Sequence, residues 1–343
     1  MRVLWGAIRF GILLATCLLL FMVAATAQTA AGFGDIRPRP ERFFQPQTGQ
    51  SNSRGFKFIT LDYPGALATR ATGINGAGSI VGSFDDSVAT HGFLLHEGKF
   101  TTIDVPGSTF TQPKSINARE EIVGYYFDVD SNLHGFFFHE RHFKSIDIPF
   151  SIETRSEGIN DAGVISGEYV DQADNEHGYL LREGKFETFD VPNSFSTDIW
   201  SVANDGWFAG DYSDPVTVLA YLRNRRGDYL TLAYPGAVAD AARSINDRHE
   251  VVGRWDDNSV PPIQLLCTTQ CHGFLWSEGV IQSIDVPGAS STVALGINNR
   301  SQIVGKFVDS SGNEHGFLTR TEAGNNLGAN HSGSTSPDLD ERE

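Results

Sequence analysis

The stretch Gly73–Phe84, "GINGAGSIVGSF", decides the fold, because it occurs in six variants along the chain. The other variants are "SINAREEIVGYY", "GINDAGVISGEY", "SVANDGWFAGDY", "SINDRHEVVGRW" and "GINNRSQIVGKF". They follow one another at intervals of 42 or 43 residues, except for one interval of 52 residues that contains "PPIQLLCTTQC". A phrase with this period indicates a structural repeat. It also lacks the Lys-Ser/Thr of a phosphate-binding loop.

Four landmarks recur in the same order: Asp-X-Pro, the Asn of the quoted phrase, a Gly six or seven residues later, and His-Gly-aromatic. The Asn landmarks are Asn75, Asn117, Asn160, Asn204, Asn246 and Asn298. The Gly landmarks are Gly82, Gly124, Gly167, Gly210, Gly253 and Gly305. The fourth copy departs from the pattern, because Leu219 replaces its His and Ala233 replaces its Asp.

Each copy contains four stretches that are typical of β-strands. In the first copy these are the residues leading into Asn75, then "SIVGSF", "HGFLLH" and "KFTTIDV". Turn residues separate them: Asn-Gly-Ala-Gly, the acidic "DDSVAT" and Glu97-Gly98. Several runs are apolar on both faces, as expected for strands sandwiched between neighbouring sheets. A period in the forties with four strands per copy predicts an all-β fold of the propeller class.

The phase of the repeat predicts how the propeller closes. The folded region opens with "GFKFITLDYPG", a fourth strand without the first three, and closes with three strands that lack a fourth. We therefore predict a six-bladed β-propeller with four antiparallel strands per blade, in which the N-terminal strand around Phe58 to Asp62 pairs beside His315 to Leu318. Such a clasp removes a free sheet edge. A β-solenoid is the alternative, but it needs no strand returned from the other end.

The phrases "TIDVPGS", "GINN" followed by "IVG", and "HGFL" resemble the bacterial extracellular HAF-repeat family, named for a His-Ala-Phe motif. Here the middle residue is Gly, or Ala in copy four, so the likeness is to the repeat pattern rather than to the literal tripeptide. It covers nearly all of residues 56–320. The resemblance implies an exported repeat protein with a propeller-like fold, and it supplies no reaction, substrate or catalytic residue.

A histidine and an aspartate recur at a separation that places them opposite each other in a hairpin. His91 and Asp104 are symmetric about the two-residue turn Glu97-Gly98, so they face each other across it. The predicted pairs are His91–Asp104, His134–Asp147, His177–Asp190, His272–Asp285 and, between the chain ends, His315–Asp62. Because copy four has lost both partners together, we interpret the pairs as partly buried structural contacts rather than as metal or catalytic groups.

Two further clusters suggest ligands or a cross-link. Asp128, Asp130 and Asn132 place oxygens at alternate positions, as calcium loops do, but the Gly and distal Glu of an EF-hand are missing. Ordinary Asx turns are the favoured interpretation, so no cofactor is expected, with Ca²⁺ as the alternative. Cys267 and Cys271 predict a disulfide closing a small loop in an exported protein; a Cys-Cys-His metal site with His272 is the alternative.

Composition divides the chain into four parts. Residues 1–27 combine Arg2 and Arg9 with an apolar core and a small-residue end, which predicts a secretory signal peptide, or alternatively an uncleaved anchor. Residues 28–54 are rich in Pro, Gln and Ser and predict a flexible linker, residues 55–320 the propeller, and residues 321–343 a disordered tail. The protein is therefore expected to be extracellular or periplasmic and monomeric, without a further membrane segment.

Charge and motifs narrow the function. The net charge of −16 becomes −18 when Arg2 and Arg9 are removed with the signal, which argues against nucleic-acid binding. The cluster Arg223, Arg225 and Arg226 is interpreted as a solvated hairpin tip. No catalytic motif stands out, so the first hypothesis is a non-catalytic scaffold that binds a protein or glycan. The second is a propeller enzyme of the hydrolase or lactonase type with a cation in its central channel. Unrepeated polar residues converging on that channel would favour the second.

Overall fold

The computed structural model describes residues 47–48, 55–214, 217–256 and 271–321, and within these ranges the regular structure consists of strands without a helix. None of these residues belongs to a helix long and apolar enough to cross a membrane. The expected signal peptide, nearly all of the tail and Cys267 lie outside the described residues. Gln47–Thr48, inside the expected linker, forms a short strand (β1).

The strands of copies one to three and their N-terminal predecessor have the following bounds: β2 Phe56–Leu61, β3 Ala68–Ile74, β4 Ile80–Asp85, β5 Thr90–His96, β6 Lys99–Ile103, β7 Phe110–Ile116, β8 Ile122–Phe127, β9 Leu133–His139, β10 His142–Ile146, β11 Glu153–Ile159, β12 Ile165–Val170, β13 Glu176–Arg182 and β14 Lys185–Phe189. Copies four to six contain the remaining strands: β15 Ser196–Val202, β16 Phe208–Ser213, β17 Val218–Arg223, β18 Tyr229–Leu232, β19 Ala239–Ile245, β20 Val251–Asp256, β21 Cys271–Ser277, β22 Val280–Ile284, β23 Ser291–Ile297, β24 Ile303–Val308 and β25 Glu314–Thr321.

Consecutive strands of each copy pair antiparallel, so the predicted four-stranded sheet repeats along the chain. In copy one, β3 pairs with β4, β4 with β5, and β5 with β6. The last hairpin places His96 opposite Lys99, which confirms Glu97-Gly98 as its two-residue turn. A β-bulge between Ala71 and Gly73 interrupts the β3–β4 register, and the same irregularity occurs in the other copies. The short β1 pairs parallel with β22.

The N-terminal strand completes the last sheet of the chain. β2 pairs antiparallel with β25, with Phe56 opposite Thr321 and Leu61 opposite Gly316. The order in this sheet is β2-β25-β24-β23, as the phase of the repeat predicted. The rings of Phe58 and Phe317 meet edge to face at 5.6 Å, so the pairing is also a side-chain contact.

The hydrophobic core lies between successive sheets. One buried cluster joins Val252 and Leu275 of copy five to Ala294 and Phe317 of copy six, and Phe58 packs against it. Equivalent clusters link the other neighbouring copies. This arrangement explains why many strands are apolar on both faces, since each sheet is covered on two sides.

The structure corrects one landmark of the repeat. Ala203, not Asn204, occupies the position of the landmark Asn in copy four, because its N–H donates to the carbonyl of Trp207 as the Asn75 N–H donates to that of Ser79. The turn of copy four therefore has the ordinary length. Asn204 has moved one place into the turn, where its amide donates to Asp247 at 2.8 Å and to Asp161 at 3.1 Å.

Candidate functional site

The landmark asparagines connect one copy to the next. The Oδ1 of Asn75 accepts backbone N–H groups of its own turn at 3.0 Å, and its Nδ2 donates to the carbonyl of Asn117 at 3.1 Å. The same link joins Asn117 to Asn160, Asn160 to Ala203, Asn246 to Asn298, and Asn298 to Asn75. These residues surround a cavity of about 80 Å³ that is lined by all six copies. The side chains of the landmark asparagines therefore make structural contacts within their turns and between copies.

The structure brings every predicted His–Asp pair together. The Nδ1 of His134 lies 2.7 Å from an Asp147 carboxylate oxygen. The corresponding distances are 2.8 Å for His91–Asp104, 2.9 Å for His177–Asp190, 2.9 Å for His272–Asp285 and 3.0 Å for His315–Asp62. The side chain of Asp147 is 49% exposed, more than expected for a partly buried pair. Such a contact therefore contributes less to the free energy of unfolding than a buried one.

Four of these histidines contact a second carboxylate that the sequence did not suggest. The Nε2 of His134 lies 3.3 Å from Asp128, and the same contact joins His91 to Asp86, His177 to Asp171 and His315 to Asp309. Burial lowers the pKa of His134, but the hydrogen bonds and charges of Asp147 and Asp128 outweigh it and raise that pKa overall. The pKa values of His91 and His315 are raised for the same reasons.

Replacing His134 and Asp147 by alanine, singly and together, is expected to show that they act as a pair. Each single variant should lower the free energy of unfolding by about 0.5–1 kcal/mol, and the double variant by less than the sum. Because the folded-state pKa of His134 is raised above 6.5, the stabilisation is complete below that pH and is lost as the pH rises through the raised value. Denaturant unfolding at several pH values measures both effects.

His142→Ala provides the matched control, since the Nδ1 of this exposed histidine in the same copy contacts the carbonyl of Glu140. Strictly additive effects of the two substitutions at His134 and Asp147, or a coupling that does not change with pH, would contradict the pairing.

The candidate calcium loop is closed by its own hydrogen bonds. The Oδ1 of Asp128 accepts the backbone N–H of Asp130 at 2.9 Å and that of Asn132 at 2.8 Å, and its Oδ2 accepts the Asn132 amide at 2.9 Å. These bonds lower the pKa of Asp128 to about 2. The carboxylate therefore serves an Asx turn. Cys271 is disulfide-bonded, while its predicted partner Cys267 lies outside the described residues.

A cluster of charged side chains lies where the repeat is least conserved between copies. The residue after each landmark Gly pairs with the third residue of the preceding first strand, and the pairs differ in chemistry throughout. They are Arg70–Ser83, Gln112–Tyr125, Arg155–Glu168, Asp198–Asp211, Ala241–Arg254 and Val293–Lys306. In copies three to five these positions bring together several carboxylates and guanidinium groups.

Three carboxylates meet at the centre of this cluster. Ligand atoms of Glu168, Glu176 and Asp198 all lie within 4.8 Å of one another, and Arg155 donates to Glu168 at 2.7 Å. The Oδ1 of Asp198 is buried without a hydrogen-bond partner. Burial and the charges of Glu168 and Glu176 raise the pKa of Asp198 well above its usual range. Burial and the charge of Glu168 raise the pKa of Glu176 to about 8. The group therefore favours binding a proton or a cation.

Two cations flank this trio, which we call the carboxylate trio. Lys114 lies 2.9 Å from the buried carboxylate of Glu157, and both Lys114 and Arg243 lie over the ring of Trp200, at 4.9 and 3.6 Å from its centroid. The indole N–H of Trp200 donates to Asp211, whose pKa is raised by burial. The site is thus polar, asymmetric and confined to a few copies.

The residues that recur in every copy give no indication of this cluster. The signal was nevertheless present: the residue following the landmark Gly is Ser83, Tyr125, Glu168, Asp211, Arg254 or Lys306, whereas its neighbours are nearly constant. When the polar residue at one position of an otherwise apolar strand differs between copies, the packing of the repeat does not determine which residue stands there.

Comparisons with known proteins bear on the fold. The sequence matches no family model and no curated protein. Among solved structures, a putative TolB from Agrobacterium tumefaciens aligns with 9% identity over 77% of this chain and 96% of that chain, with a TM-score of 0.54. The chain has a β-propeller-like fold.

Two further propellers align at lower structural similarity. Virginiamycin B lyase from Staphylococcus aureus is 11% identical over 77% of this chain and 99% of its own, with a TM-score of 0.45. The Aleuria aurantia lectin, solved with Fucα1-6GlcNAc, is 11% identical over 74% of this chain and 91% of its own, also with a TM-score of 0.45. The likeness to all three proteins concerns the fold alone.

Proposed function

We propose that this chain is a six-bladed β-propeller, exported from the cytoplasm, that acts as a non-catalytic scaffold for binding a glycan or a protein. Closure into six blades is supported by the pairing of β2 with β25 and by the Asn298 amide, which donates to the Asn75 carbonyl at 2.9 Å. The signal peptide predicted from residues 1–27 and the resemblance to HAF repeats support a location outside the cytoplasm.

The observation that carries the binding role is the division between repeated and unrepeated polar groups. The repeated Asn, His and Asp side chains hydrogen-bond to one another or to the backbone, as in the Asn75–Asn117 link and the His134–Asp147 pair. Unrepeated polar side chains occur in every copy, and in copies three and four they include the carboxylate trio, which has a buried oxygen without a hydrogen-bond partner. Function resides in particular sites carried by a fold, so the polar residues that the repeat does not determine are the candidates for binding.

The carboxylate trio favours a second candidate, an enzyme with a cation in the propeller channel. Carboxylate oxygens are the ligands that Ca²⁺ and Mg²⁺ prefer, and three of them lie within 4.8 Å in copies three and four. The trio lies on β12, β13 and β15, and the cavity surrounded by the landmark asparagines is lined by other residues. The trio therefore does not meet the expectation that unrepeated polar residues converge on the channel. Arg155 argues for the scaffold, since its guanidinium already neutralises Glu168 at 2.7 Å.

A screen of the mature chain against a glycan array, combined with thermal shift in Ca²⁺ or EDTA, distinguishes the two candidates. The scaffold predicts saturable glycan binding that EDTA leaves unchanged. A melting temperature that rises with Ca²⁺, falls with EDTA and no longer responds in Asp198→Asn would instead support the enzyme. Asn imitates the protonated Asp198, so this variant is expected to fold. Absence of any glycan binding together with the calcium response would contradict the scaffold.

A further inference from the structure

A cavity whose lining departs from the repeat lies between the sheets of copies three and four. It has a volume of about 260 Å³, and its walls include Arg182 of β13, Glu187 and Phe189 of β14, and Arg223 of β17. Arg225 completes the lining. Three guanidinium groups and one carboxylate therefore surround a single space in a protein whose net charge is −16.

Arg223 occupies a position that is apolar in the other complete copies. It pairs with Phe208, and the residues at the same register are Leu95, Phe138, Leu181 and Trp276. The sequence suggested a solvated hairpin tip for this arginine, but the structure places it at the end of β17 with its Nε buried. Arg223 thus places a positive charge at a position where other copies have leucine. A buried charge of this kind requires a compensating partner.

The guanidinium groups are held in place without using all of their donors. The Nε atoms of Arg182 and Arg223 are both buried without a hydrogen-bond partner. The guanidinium of Arg223 lies over the rings of Phe189 and Phe208, at 4.9 and 5.2 Å from their centroids, which fixes its plane. Gly206 leaves room for Arg225, because a Cβ at this glycine would lie 3.2 Å from the Arg225 Nε. Three guanidinium groups around one cavity, one of them with its plane fixed by aromatic rings, match an oxyanion.

We propose that this cavity, which we call the arginine cavity, binds the carboxylate or sulfate group of an acidic saccharide. Arginine guanidinium groups recognise such groups through charge-assisted hydrogen bonds, and Arg182, Arg223 and Arg225 all line this one cavity. Glu187 offers a partner for sugar hydroxyls, and the ring of Phe189 offers an apolar wall. This inference rests on the proposed scaffold function and specifies its ligand class.

Binding of oligogalacturonate, with maltotetraose as the neutral probe, tests the proposal by isothermal titration at low and high salt. The full mature chain is expected to bind the acidic probe saturably, at least tenfold more tightly than the neutral one, and more weakly as salt increases. Arg223→Leu restores the residue found at Leu95 and Leu181. It should keep or raise the melting temperature while weakening acidic-probe binding at least tenfold. Arg226→Leu removes the same charge from the exposed turn outside the cavity and should bind as the parent does.

Each other outcome overturns the proposal. Equal binding by Arg223→Leu and Arg226→Leu, equal binding of both sugars, or no binding of the acidic probe would refute an acidic-saccharide site in the arginine cavity. Binding of an oligoglutamate with the same Arg223 dependence, without sugar binding, would assign the cavity to an acidic peptide instead. Glycan binding that survives in Arg223→Leu would leave the scaffold function in place and refute only this site.

Discussion

Replacing Gly82 by alanine is expected to prevent stable folding. A Cβ at this position would lie 1.9 Å from the carbonyl oxygen of Arg70 on the paired strand and 2.7 Å from the buried ring of Phe93. Both neighbours are fixed, the first by the bulged β3–β4 ladder and the second by the core between sheets. The loss in free energy of unfolding should exceed about 3 kcal/mol, because the backbone itself must move.

The same phrase contains the matched control. Gly76 has open space around the position of its missing Cβ and no positive φ, so Gly76→Ala should change the free energy of unfolding by less than about 0.5 kcal/mol. Far-ultraviolet circular dichroism and urea unfolding of both variants measure the difference. A Gly82→Ala variant as stable as Gly76→Ala would show that the bulge relaxes and that the recurring glycine has another purpose.

The fold was predictable because its determinants are local and repeated. The turn at Glu97-Gly98 fixes the register of its hairpin, and that register places His91 opposite Asp104 without further information. The pairing of β2 with β25 followed from counting strands at the two ends. The exception was Asn204. It precedes Asp205 in the sequence, as the landmark Asn160 precedes Asp161, and only the backbone hydrogen bonds reveal that Ala203 takes the landmark position.

The candidate sites were less predictable, because they depend on contacts between copies. Glu168 and Asp198 are 30 residues apart and belong to different copies, so their approach requires the packing of one sheet against the next. Arg182 and Arg223 meet in the arginine cavity for the same reason. A periodic pattern predicts the residues that all copies have in common. The residues of the carboxylate trio and of the arginine cavity differ from copy to copy, so the pattern does not predict them.

Removal of β2 is expected to abolish cooperative folding although the deleted segment is short. A chain that starts at Tyr63 loses the six pairs between β2 and β25 and exposes the edge of β25. The deletion also removes Phe56, Phe58 and Leu61, which pack against two of the buried clusters. The lost apolar burial is on the order of 5 kcal/mol, which is comparable to the entire stability of many domains. A chain that starts at Gly55 keeps the strand and should unfold in one transition.

Addition of the missing strand in trans makes this prediction specific. A synthetic peptide of residues 55–62 should restore a cooperative melting transition to the chain that starts at Tyr63, with a melting temperature that rises with peptide concentration, because binding to the folded state alone stabilises it. The same peptide with Phe58→Asp should not restore it, since Phe58 packs 5.6 Å from Phe317 in the composite sheet. If the shortened chain melts at the same temperature as the longer one without peptide, the sheet of copy six does not depend on the N-terminal strand, and the closure of the propeller by that strand is refuted.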